Sequence, residues 1–196
     1  ANTAVLYNAI DIASFSAKTV KSSSSNTVVG FVGNLKLVKR ADKLPEIFQQ
    51  IKALNPNVSF IVVGDGVLRD KIEQACIEHK LPVTFTGMVN PSEIPDIMQQ
   101  LDLLILPSRN EGLPMVLIES LAMGVKAIGT DVGGIKEVLG DEYVVAEGQS
   151  FEERFAQKAI DVLACNKTQI LEQKFINNTD KSDELDIYKR LLKTKN

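Results

Sequence analysis

Glu111 and Glu119 stand eight positions apart at the start and in the middle of one apolar stretch. Around Glu119 lie Met115, Val116, Leu117, Ile118, Leu121, Ala122 and Met123. This run predicts a helix over 113–123, with Pro114 in its first turn, Glu111 in the loop that enters it, and Glu119 about two turns in. A carboxylate on an apolar helix costs free energy unless it has a fixed partner. Ribose or sugar hydroxyls would serve, because an ionised carboxylate only accepts hydrogen bonds and can take two donors. A buried salt bridge, or a place at the helix edge, accounts for Glu119 equally well.

A second group of residues is basic. Lys36, Lys39, Arg40 and Lys43 fall within eight residues of a slightly acidic chain. Near a helix start such a cluster suits a diphosphate, since cations and helix N-terminal amides both favour anions. A solvated helix face explains it as readily. Gly133 and Gly134, just before a short helical segment, offer bare backbone N–H groups to an anion, or make a plain tight turn. His79, the single histidine, falls at a helix C-terminus and reads as structural. There is no Asp-x-Asp triplet, no Walker-type lysine motif and no spaced set of metal ligands. Gly64-Asp65-Gly66 lacks the third glycine of a dinucleotide fingerprint.

The elements that must position these groups alternate strictly. Apolar, β-branched runs predict strands over 27–33, 58–64, 82–86, 102–106, 125–129 and 142–145. Helical spacing predicts helices over 41–54, 67–79, 91–100, 113–123, 134–139, 151–163 and 185–192. Alternation of this kind means an α/β fold: a Rossmann-like, doubly wound parallel sheet of about six strands, covered on both faces. Ligands bind beyond the carboxyl ends of such strands. The loops at that edge carry Gly33, Asn34, Lys36, Lys39 and Arg40, then Gly64-Asp65-Gly66, Gly87, the run 108–112, and the run 130–134. The opposite edge has ordinary turns such as Asn55-Pro56-Asn57.

Composition narrows the function classes. The chain has 196 residues, 44% of them hydrophobic, and a net charge of −3. That is a soluble globular composition and argues against a nucleic-acid partner. Cys76 and Cys165 show neither disulfide framework nor metal spacing, which fits a reducing cytoplasm. No apolar run is long enough to span a bilayer, and no signal peptide is visible. Residues 1–26 read as an interdomain linker remnant with serines at 22–25, residues 27–165 as the compact domain, and 166–196 as a C-terminal helical segment. A start at Ala1, without methionine, fits a piece of a longer protein.

The stretch from Glu111 to Glu119 resembles the Glu-x7-Glu signature of the family 4 retaining glycosyltransferases with the GT-B fold. Other features agree in order and spacing. Asn8-Ala9-Ile10-Asp11 with Phe15 resembles the family's interdomain segment. Gly33-Asn34-Leu35 followed by Lys39-Arg40-Ala41-Asp42 resembles its Gly-Arg-Leu…Lys-x-x-Asp stretch. Gly64-Asp65-Gly66, Phe85-Thr86-Gly87, Pro107-Ser108 and Gly133-Gly134 with Glu137 also fall in place, and Tyr188 to Leu192 is similar to the closing helix. The resemblance covers about residues 8 to 148 and points to the C-terminal, donor-binding domain.

The resemblance implies a nucleotide-sugar donor (UDP- or GDP-sugar), no cofactor and no metal. Lys39 and Glu111 are then the catalytic pair. Lys39 would hold the diphosphate, helped by Gly33, Asn34, Arg40, Ser108, Gly133, Gly134 and the backbone of Gly112, Leu113, Pro114 and Met115. Glu111 would meet sugar hydroxyls, Glu119 the ribose, and the backbone of Gly87, Met88 and Val89 the base. The family has arginine where this chain has Asn34, so Arg40, Lys36 or Arg109 would have to replace it. The resemblance implies that the N-terminal acceptor domain lies outside this stretch, so the stretch by itself is expected to bind donor weakly and transfer little. A glycan or lipid-linked acceptor, in cell-surface polysaccharide or lipopolysaccharide assembly, follows from family frequency. Any membrane contact at the inner face would belong to the missing domain. A related epimerase or phosphorylase, or a noncatalytic α/β binding module, is the alternative.

Overall fold

The computed structural model describes residues 26–176. The expectations for residues 1–25, including the Asn8–Asp11 segment and Phe15, and for the helix over 185–192 lie outside the described residues. Six strands form one sheet: β1 (Thr27–Val32), β2 (Val58–Val63), β3 (Val83–Gly87), β4 (Leu103–Leu106), β5 (Lys126–Thr130) and β6 (Val144–Val145). Their spatial order is β3-β2-β1-β4-β5-β6, and every pairing is parallel. The order reverses between β1 and β4, and a crevice opens at such a reversal beyond the strand ends.

Burial explains the strand sequences. All four side chains of β4 are buried, as a central strand covered on both faces requires. Among the described residues six α-helices flank the sheet: α1 (Leu44–Leu54), α2 (Arg69–Glu78), α3 (Ile94–Met98), α4 (Met115–Ala122), α5 (Ile135–Leu139) and α6 (Phe151–Ala164). α1 buries Leu44, Ile47, Phe48 and Ile51. Phe48 stacks on Phe60 of β2 with ring centroids 4.2 Å apart. α6 buries Phe151, Phe155, Ala159 and Val162 on a single stripe and packs beside α1.

Several boundaries differ from the sequence expectation, and prolines explain most of them. The helix expected over 41–54 starts as a 3-10 turn, Ala41–Lys43, before α1, whose first turn holds Pro45. The helix expected over 91–100 divides into a 3-10 turn, Pro91–Glu93, closed by a capping box between Asn90 and Glu93, and the short α3 with Pro95. Pro114 is not in the first turn of α4. It is the N-cap, with extended backbone (ψ 98°), and the helix begins at Met115. Of the strand expected over 142–145, only Val144–Val145 pairs, because Asp141–Tyr143 forms a 3-10 turn.

Within the segment expected to be helical after residue 165, the described part carries one 3-10 turn, Gln173–Phe175, and otherwise runs irregularly. It is nevertheless packed against the body. The Gln169 side chain accepts from the Ala127 amide at 2.6 Å and donates to the Ala127 carbonyl at 2.8 Å. β6 pairs only with Gly129 and Thr130, so Gln169 satisfies the part of β5 that β6 leaves unpaired. Phe175 is fully buried. Among the described residues no helix is long and apolar enough to cross a membrane.

Candidate functional site

The site grows from two loops at the crevice, one after β1 and one after β4. After β1 the chain passes Gly33 and Asn34, buries Leu35, and makes a 3-10 turn over Leu37–Lys39. Arg40 then adopts a left-handed backbone (φ 52°). The two consecutive cations point to different surroundings. Lys39 reaches the β4 loop, where its Nζ donates to Glu111 Oε1 at 2.5 Å. Arg40 is buried. Its Nε donates to the Pro107 carbonyl at 2.9 Å, its other end pairs with Glu147, and its guanidinium lies 4.0 Å over the Phe151 ring. Arg40 therefore anchors the loop to α6 and does not line the cleft.

The loop after β4 is held from both sides. Ser108 is fully buried, and its hydroxyl donates to Glu111 Oε1 at 2.6 Å. One carboxylate oxygen thus accepts from both Lys39 and Ser108, while Oε2 accepts from no described residue. Arg109 grips Asp42 with both guanidinium nitrogens, at 2.7 and 3.0 Å. That hydrogen bond holds the Asp42 carboxyl below the usual carboxylate range.

The glycine pair serves this loop as well. A β-carbon on Gly134 would stand 2.1 Å from the Gly112 carbonyl oxygen. Only glycine permits the approach, and the Gly134 amide donates to that same oxygen at 2.7 Å. The Gly134 N–H expected to face an anion is engaged by the protein. Gly133 and Gly134 support the Glu111–Gly112 backbone from beneath.

Glu119 projects from α4 into the space between the two loops. Burial pushes its carboxyl above the usual carboxylate range. The carboxylate has no hydrogen bond or ion pair among the described residues, so the salt bridge that would have explained it is not present there. α4 also turns its N-terminus to this space; the Leu117 amide donates to the Pro114 carbonyl at 3.1 Å, while the Met115 and Val116 amides have no partner within the helix.

Together these groups enclose a cleft of about 350 Å³ lined by Val32, Gly33, Asn34, Lys39, Ile94, Glu111, Leu113, Pro114, Met115, Val116 and Glu119. Eight residues expected from the sequence are brought together here: Gly33, Asn34, Lys39, Glu111, Leu113, Pro114, Met115 and Glu119. Arg40, Ser108, Gly112, Gly133 and Gly134 stand behind or beside the lining. Gly87 ends β3, Met88 and Val89 follow it at the same sheet edge, and Met88 is exposed. Sequence reasoning missed Val32, Ile94 and Val116. Nothing in the local pattern marks Ile94, which the fold carries over from α3.

The lining holds one cation, Lys39, against two carboxylates, Glu111 and Glu119. Arg109 and Arg40 are committed to Asp42 and Glu147. Of the three cations expected to stand in for an arginine at Asn34, that leaves Lys36, which is exposed and has no ion pair among the described residues. Among those residues no group of three or more His, Cys, Asp or Glu side chains is gathered as metal ligands.

Comparison with known proteins shows the family and the fold. Residues 14–182 match the family model described as glycosyl transferases group 1. A phosphatidylinositol N-acetylglucosaminyltransferase subunit of Arabidopsis thaliana is 30% identical over 160 residues, which are 80% of this chain and 36% of that protein. The chain thus spans about a third of the length of that relative. Among solved structures, Anabaena HepE in complex with UDP-glucose superposes with a TM-score of 0.76 at 22% identity, over 95% of this chain and 57% of that one. The C-terminal domain of the group 1 glycosyl transferase LpcC from Francisella tularensis superposes with a TM-score of 0.65 at 18% identity, over 80% of this chain and 88% of that domain. At these identities the structural likeness shows a shared fold.

Proposed function

Because the chain belongs to the glycosyl transferases group 1 family, we propose that its cleft is the donor site of a metal-independent, retaining transferase that takes a nucleoside diphosphate sugar. The observation that carries this reading is Glu119. It is a half-buried carboxylate, open to the cleft, with no partner among the described residues and its ionised form disfavoured by burial. Such a group is costly to keep, and a vicinal pair of ribose hydroxyls would satisfy both of its oxygens.

The other roles follow from position. Lys39 and the α4 N-terminus meet the diphosphate, and they stabilise the charge that grows on it as the sugar departs. The unoccupied Oε2 of Glu111 accepts from a hydroxyl of the sugar. Residues Gly87 to Val89, at the far end of the same edge, would then face the base. Positive charge from Lys39 takes the part that a bound metal plays elsewhere.

The acceptor would be a glycan or a lipid-linked molecule of cell-surface assembly. The name of the Arabidopsis relative, a phosphatidylinositol N-acetylglucosaminyltransferase, favours the lipid-linked form. A second, acceptor-binding domain would supply the other wall of the cleft, so this chain by itself binds donor weakly and transfers little.

Calorimetric titration with UDP, GDP and their sugars tests the reading. One nucleotide is expected to bind with a Kd on the order of 0.1–1 mM; Glu119→Ala is expected to abolish it and Lys39→Ala to weaken it about tenfold. Binding untouched by both substitutions would place the nucleotide elsewhere, and robust transfer by the isolated chain would remove the need for a second domain.

A further inference from the structure

Lys39 sits at the exposed tip of a loop whose buried residues, Leu35, Arg40 and Ala41, lie to either side of that tip. Leu37 is 60% exposed and Val38 45% exposed, and the loop's only regular structure is two short 3-10 turns. Its side chain is long, and ordering it costs conformational entropy. Yet its ammonium group meets Glu111 across the crevice at 2.5 Å.

One residue of the facing loop grips the chain on both sides of Lys39. The Arg109 amide donates to the Val38 carbonyl at 2.8 Å. Arg109 Nη1 donates to the Leu37 carbonyl at 2.5 Å. Its two terminal nitrogens hold Asp42 at 2.7 and 3.0 Å. Leu37 and Val38 precede Lys39, Asp42 follows it, and Glu111 lies two residues beyond Arg109. A bidentate arginine–carboxylate pair is geometrically specific as well as strong.

We propose that Arg109 and Asp42 are a positioning pair that fixes Lys39 against Glu111 and thereby sets the affinity of the donor site. Neither residue lines the cleft, so both act through Lys39. The proposal rests on the donor-site reading for its consequence but not for its geometry. It also explains why the cation nearest in sequence to Glu111 is absent from the cleft.

UDP is the probe, titrated by calorimetry against Arg109→Met, Arg109→Lys, Asp42→Asn, Lys39→Gln and the double variant Arg109→Met/Lys39→Gln. Hydrogen exchange follows the amides of 36–42 and 108–112 in the same proteins. Arg109→Met and Asp42→Asn are expected to weaken UDP about tenfold, and Arg109→Lys to recover part of that loss. In the Lys39→Gln background, Arg109→Met is expected to add nothing, because residues acting through one group are non-additive. Unchanged affinity in Arg109→Met, or additive losses in the double variant, overturns the proposal. If the wild-type chain binds no nucleotide at all, the donor-site reading falls and exchange decides the pair's role. Faster exchange in both loops of Asp42→Asn upholds it, and a change confined to 36–42 overturns it.

Discussion

A β-carbon placed on Gly133 would stand 1.8 Å from the carbonyl oxygen of Glu111. The backbone that carries Glu111 therefore rests directly on a position where no side chain fits. Gly133 also has a left-handed φ of 51°. Gly133→Ala is expected to cost about 3 kcal/mol of stability, from strain and collision together, and to lower UDP affinity by displacing Glu111. Gly124 (φ 74°) has nothing within 4 Å of its β-carbon position, so Gly124→Ala carries only the backbone cost of about 1–2 kcal/mol. Urea denaturation of both variants separates the two causes. Equal losses would mean that the contact with Glu111 contributes nothing.

Glu119 links stability to function in opposite directions. Its folded-state pKa is raised by burial above the ordinary value of 4.5. Stability from the protonated form is thus fully present below 4.5 and is lost as pH rises through the folded value. Glu119→Gln is expected to match the wild type in thermal stability at about pH 4 and to be the more stable protein at about pH 7.5. UDP affinity near neutral pH is expected to fall at least about tenfold, since a carboxylate acceptor for two hydroxyls is gone. A variant that is less stable than wild type near neutral pH and binds UDP normally would make Glu119 a structural residue.

Lys39 and Arg40 are neighbours whose loss should produce opposite phenotypes. Arg40→Met removes the donor to the Pro107 carbonyl and the cation over Phe151, and it is expected to cost about 2 kcal/mol of stability. Lys39→Ala removes a partly exposed pair and is expected to cost under about 1 kcal/mol of stability while weakening UDP binding about tenfold. Urea melts and calorimetry on the two variants check this. The reverse pattern would exchange their roles.

Gln169 acts as a one-residue strand beside β5. Gln169→Leu leaves the Ala127 amide and carbonyl without their side-chain partners, and a loss of about 1–3 kcal/mol is expected. The Ala127 amide should then exchange faster while the amides of β1 keep their protection. Unchanged exchange at Ala127 would show that another group can satisfy this part of the strand.

Much of this molecule was legible in its residues alone. The alternation of β-branched runs with amphipathic stretches announced six strands and a parallel sheet, and the clustering of glycine and charge announced the working edge. Glu119 stood out because it interrupts an apolar helix. Local spacing is readable in this way because periods of 2 and 3.6 record which face of each element is buried. Helix starts were misjudged where proline intervened, as at Pro91 and Pro114, because spacing does not say whether a proline caps a helix or opens it.

Tertiary structure decided the partners. Side by side in the sequence, Lys39 and Arg40 carry the same charge, and only the left-handed turn at Arg40 and the placement of β4 beside β1 send one to Glu111 and the other to Pro107. The spacing of Gly133 and Gly134 fits an anion site and a tight turn alike, whereas the fold shows them pressed beneath Glu111 and Gly112. Ile94 enters the cleft from a helix that no motif marks. Each of these depends on which strands become neighbours and on how a loop's backbone turns between them. Those are relations between distant parts of the chain, and no local pattern of residue types encodes them.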